Sequence, residues 1–73
     1  MRSLSEIQAG TNCEVKWIIL TKQISEYFEK MGIVVGAVIT VIVNTMGHMI
    51  VQVADKRLAL SVDVASKIKV GSC

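Results

Sequence analysis

The chain reads as a mainly β fold with one inserted α-helix, its strands gathered into a small, partly open barrel of about five. Three observations predict this. From Ala37 onward the apolar residues recur with a period near two, broken by tight turns. Thr21 to Met31 carries a helical period instead. Finally, 73 residues suffice for one core built from short elements, and closing the sheet removes the apolar edges that an open one would expose.

Each element follows in order. Ser3-Leu4-Ser5-Glu6 fits a capping box, S-x-x-E, opening a single helical turn from Leu4 to Gln8, with Gly10 as a left-handed stop. Cys13 to Leu20 is a strand in which Val15, Trp17 and Ile19 alternate with Glu14 and Lys16. Ile18 and Leu20 break that alternation, so a bulge or burial on both faces is expected, and the register of Trp17 stays open. In the helix, Ile24, Tyr27, Phe28 and Met31 form one stripe, with Lys22, Ser25, Glu26, Glu29 and Lys30 on the wet face. Thr21 is its N-cap and Gly32 its left-handed end.

Three strands follow as an antiparallel meander: Ala37 to Thr45, Met49 to Ala54 and Arg57 to Val62. Met46-Gly47-His48 and Asp55-Lys56 are the connections. Met49, Val51 and Val53 share one face of the middle strand. Asp63 caps a short turn from Val64 to Ser66, Lys67 to Val70 returns as a last strand, and Gly71 to Cys73 frays. The apolar run from Ile33 to Val43 holds nine β-branched residues in eleven. It is too short for a spanning helix and favours a buried strand, so no membrane insertion is expected.

Composition narrows the function. Eight Lys and Arg against six Asp and Glu give a net charge of +2. That is far from the basic stripe of a nucleic-acid binder, and three aromatics are too few for a base-stacking platform. Cys13 and Cys73 stand sixty residues apart without a CxxC motif, so neither a secreted disulfide scaffold nor a zinc ribbon is indicated; a disulfide closing most of the chain stays open, and two reduced thiols in a cytosolic protein is the plainer reading. Cys13 reads as a small apolar filler. Met1 to Gly10 lacks the apolar centre of a signal peptide.

The residues in order resemble the ferrous iron transport protein A family, FeoA-like, over roughly residues 3 to 70. The resemblance rests on the Leu-Ser-Glu-Ile opening, the Met-Gly-Ile-Val-Val-Gly junction at 31 to 36, and the ending Leu58-Ala59-Leu60, Ala65, Ile68 and Val70. It implies one SH3-like domain over residues 1–73, located in the cytoplasm. It also implies an accessory, non-enzymatic role beside a membrane ferrous iron transporter, ferrous iron transport protein B, which carries a cytosolic GTP-binding domain. That partner would recruit the protein to the inner face of the membrane. No cofactor is implied. Val35 replaces a common Pro, which costs turn rigidity, and Ser61 replaces a common basic residue, which removes a charge from any docking surface there. Related domains end metal-dependent transcriptional repressors, and a small-barrel regulatory or nucleic-acid-binding module is the alternative function.

Candidate sites are few. His48 between Met46 and Met49 has soft-metal character, but a solvated hairpin tip explains it, with adventitious zinc the most it or a cysteine would hold. A catalytic pair of Cys13 or Cys73 with His48 has no orienting third group. Arg2 and Arg57 read as surface charges, not as fingers for a GTPase. The apolar surplus is more informative. The family-like register implied by the resemblance places Val15, Ile18, Ile24, Phe28, Met31, Ile33, Val41, Val51, Leu60, Ala65 and Ile68 inside. Trp17, Tyr27, Ile39, Ile42, Ile50 and Val64 cannot all join them. Trp17 and Tyr27 are therefore the expected partner contacts, with Met46 and Met49 as a second adaptable patch. The same surplus would allow weak self-association.

Overall fold

The computed structural model describes residues 1–19, 21–45 and 47–73. In chain order it holds β1 (Arg2–Ser3), a 3-10 turn (Leu4–Glu6), β2 (Asn12–Ile18), α1 (Lys22–Lys30), β3 (Val38–Thr45), β4 (His48–Val53), β5 (Lys56–Ser61), α2 (Val62–Ala65) and β6 (Ile68–Gly71). The strands form one antiparallel sheet in the order β1-β6-β2-β3-β4-β5. Six strands thus replace the expected five, because Arg2 and Ser3 pair with Val70 and Lys69.

The sheet is strongly curled rather than closed. The molecule measures 27 × 25 × 23 Å, too nearly isotropic for a flat layer. Both edge strands end at the same plug: α2 packs on β5 and on the 3-10 turn, and that turn packs on β6. Inward residues of every strand from β2 to β6 meet in one cluster with Leu4, Ile7, Phe28, Ile33 and Ala65. Asn44 ties the plug to β3, its Nδ2 donating to the carbonyls of Ser5 and Ile7 at 3.2 and 2.7 Å.

Two bulges set which side chains reach the core. The β2–β6 register shifts between Val15 and Trp17, so Val15 points inward, Ile18 is half-buried and Trp17 turns out. This resolves the open register of β2. A second shift, between Val41 and Val43 on β3, was not visible in the uninterrupted apolar run. It leaves Ile42 and Val43 both half-buried.

The helix fits its signals at both ends. Thr21 Oγ1 accepts from the Ile24 amide at 3.4 Å, and Gly32 takes φ +87° at the exit, a conformation that favours glycine. Its stripe is less buried than its period suggested. Phe28 is buried and Met31 packs against the core, but Ile24 and Tyr27 are exposed. The amphipathic pattern fixes a face, and the nine-residue helix is docked only along one narrow part of it.

Several local assignments change. Ser3 makes no capping bond. Its hydroxyl instead accepts from Lys69 Nζ at 2.8 Å, because β1 pairs Ser3 with Lys69. Val53 pairs with Lys56, so the second turn is Ala54-Asp55, with Ala54 at φ +56°. His48 belongs to β4, paired with Thr45. Ser61, not Asp63, caps α2, its hydroxyl accepting from the Val64 amide at 3.3 Å. The serine that departs from the family pattern thus has a structural role.

The cysteines overturn the expectation of free thiols. Cys13 and Cys73 form a disulfide with Cα atoms 4.3 Å apart. The pairing of Glu14 with Gly71 brings the segment after β6 to the end of β2 where Cys13 lies. Compartment statistics argued for reduction, whereas the register supplies the geometry. For the same reason Gly71 is a strand residue and Cys73 is tied down, not frayed.

Candidate interaction surface

Trp17 is 56% exposed, held outward by the bulge in β2. It lines a shallow groove of about 200 Å³ with Ile18, Ser25, Glu29, Ile33, Val34 and Val35. The groove has a sequence logic. Gly32 and Gly36, both at positive φ, bend the 33–36 segment so that Ile33 is buried while Val34 and Val35 stay outside. Ser25 and Glu29, one turn apart on α1, close the other side. Val35 is 64% exposed, so the residue that replaces the family's proline adds apolar surface to the groove.

A second groove, about 410 Å³, runs between the start of α1 and α2 and is lined by Ile19, Thr21, Ile24, Asp63, Val64 and Lys67. Its exposed isoleucines escape a sequence reading of contacts: the period of α1 points Ile24 inward, and Ile19 is the residue after β2 whose facing the bulge decides.

Tyr27 is equally exposed but lines neither of these two grooves. It stands two residues from Ser25, about 200° around the helix, with its ring 5.8 Å from that of Phe28. Trp17 and Tyr27 are therefore not brought together. Met49 is corrected outright as a surface contact: it is 0% exposed and part of the core. Met46 lies outside the described residues. His48 is exposed on β4 while its neighbour Met49 points inward, so the alternation of the strand sends the two groups to opposite faces. Among the described residues no three His, Cys, Asp or Glu side chains form a metal-holding group.

The remaining charges are surface features. Arg2 donates to the Glu6 carbonyl at 3.2 Å, and Arg57 Nε donates to Gln52 Oε1 at 3.1 Å. Lys16 and Glu14 make an ion pair at 3.4 Å, both part-exposed, the kind of pair that adds little stability. Among the described residues no helix is long and apolar enough to cross a membrane.

The profile of the FeoA domain matches residues 2–71. The chain belongs to the FeoA family. That family is linked to ferrous iron transport. A crystal structure of an iron uptake regulatory protein, FeoA, superposes with a TM-score of 0.85 at 26% identity, covering 93% of this chain and 92% of that one. FeoA of Stenotrophomonas maltophilia, solved with zinc and described as a procaryotic SH3 domain protein, gives 0.77 at 23%, covering 99% and 91%. A manganese-dependent transcriptional repressor gives 0.87 at 23%, covering 96% of this chain but 40% of its own. The last two likenesses establish the SH3-like FeoA fold and no more. No curated protein matches the sequence.

Proposed function

We propose that this FeoA-family chain, acting as one domain, is an accessory protein of ferrous iron uptake. It acts by docking on a membrane ferrous iron transporter that carries a cytosolic GTP-binding domain. It does so in the cytoplasm, without chemistry or cofactor of its own, and reaches the inner face of the membrane through that partner. Family membership supports the link to iron transport. The observation that carries the mode of action is Trp17, a large aromatic held outward beside Val34 and Val35. Tryptophan is among the commonest anchors of protein interfaces, and apolar neighbours exclude water around it.

The test is binding to the purified full-length transporter with and without GTP, with hydrolysis followed in the same samples. Saturable binding that Trp17→Ala weakens by roughly 30-fold or more, the size of an interface hot spot, is the expected result. A change in hydrolysis assigns a regulatory role, and unchanged hydrolysis an assembly role. No binding at roughly tens of micromolar, well above the range of specific complexes, refutes the reading.

A further inference from the structure

The disulfide is unequal at its two ends. Cys13 is 1% exposed and sits in the core cluster, whereas Cys73 is exposed. An attacking thiolate can approach the bond from the Cys73 side. In the folded sheet few contacts depend on the bond. Val70 is buried and laddered on both sides, to Arg2 and to Val15, and Ile68 is buried and paired with Ile18. These contacts keep β6 in the sheet whether or not the bond exists. Beyond Val70 the attachment thins to the Glu14–Gly71 pairing, with the Lys16 stem lying across Gly71. Ser72 then adopts φ +55°, a left-handed conformation that a residue with a Cβ disfavours. Opening the bond lets Ser72 relax.

We propose that Cys13–Cys73 is a reversible latch on residues 71–73, opened and closed by exchange with small-molecule thiols at the Cys73 sulfur. In opening, a thiolate RS⁻ bonds to Cys73 Sγ and the Cys13–Cys73 bond breaks. The electron pair leaves on Cys13 Sγ, which takes up the proton the first thiol lost. A second thiolate attacks the small-molecule sulfur of the mixed disulfide and expels Cys73 Sγ, which is protonated in turn. The sum is protein disulfide plus two RSH giving protein dithiol plus RSSR. Closing is the reverse, with a low-molecular-weight disulfide as oxidant. Expelling a thiolate into an apolar site is unfavourable, so exchange is slow beside that of an exposed disulfide.

The experiment equilibrates the full chain in graded reduced and oxidised glutathione, quenches with acid, alkylates and reads intact and peptide masses. Expected are species with no or two alkyl groups and a minor mixed disulfide mapped to Cys73. In native buffer, Cys13→Ser should leave a Cys73 that alkylates as a free thiol. Cys73→Ser should leave a Cys13 that reacts at least ~10-fold more slowly, since access waits on local opening. On reduction amide exchange should rise most at residues 71–73, while residues 68–70 rise no more than the other core strands, which all follow the lower global stability. A mixed disulfide on Cys13, a bond that millimolar thiol cannot open without denaturant, a bond that oxidised glutathione cannot close, or exchange that rises more at 68–70 than in β3 and β4 overturns the proposal.

Discussion

Removing the Cys13–Cys73 bond should cost much of the stability of the fold while leaving the fold itself in place. The bond joins residues 60 apart, so in the unfolded chain it closes a loop over most of the sequence. The chain-entropy relation for a loop of that length gives about 14 cal/mol/K, or about 4 kcal/mol at 25 °C. Residual structure in the unfolded chain lowers that figure, so a loss of about 2–4 kcal/mol is expected. A chain of 73 residues has a total stability of about 4–11 kcal/mol, so the reduced protein stays folded wherever that total exceeds the loss. Its unfolding entropy, about 150 cal/mol/K, makes each kcal/mol worth about 6–7 °C in Tm. Reduction should therefore lower Tm by about 13–27 °C. The assay is thermal unfolding with and without a phosphine reductant, thiols being counted afterwards, and Cys73→Ser should melt with the reduced sample. Oxidised and reduced samples that melt within about 3 °C of each other, with thiol counts confirming both states, would refute the loop-closure reasoning.

Three further outcomes follow from particular side chains. Met49→Ala deletes a fully buried side chain and should lower stability by about 2–5 kcal/mol in denaturant unfolding, where a surface methionine would cost almost nothing. Asn44→Ala removes both bonds to the plug and should cost about 1–3 kcal/mol, with amide exchange rising first in residues 4–7. Trp17→Ala should change stability by less than about 0.5 kcal/mol, so that any loss of transporter binding reads as a loss of contact and not of fold.

Strand and helix periods were legible because each is a local property. The stripe of α1, its Thr21 cap and the meander of β3, β4 and β5 could be read within a residue or two. What escaped depends on pairs of distant segments. The bulge at Trp17 exists only against β6, and the disulfide only once Glu14 faces Gly71. Ser3 and Ser61 show how a correct residue type can be given the wrong task. Both are good capping residues, but Ser3 is engaged by Lys69, while Ser61 caps the helix that Asp63 was expected to start. The candidate surface was half legible. Trp17 could be named from its type, but Val34 and Val35 join it through the bend between two glycines, and Met49 was lost to the parity of its strand.

The place of β6 in the sheet also governs how the fold is reached. Residues 68–71 pair with residues 2–3 on one side and 14–18 on the other, so the pairing that joins β1 to the rest spans most of the sequence. Such non-local pairing places a fold toward the slow, millisecond-to-second end of the range for small domains. During synthesis at about 5–20 residues per second, β2 to β5 can assemble about a second before β6 emerges. In that interval the outer edge of β2 is an unpaired template. The charged Lys16 on that strand makes it a poor one for another apolar strand.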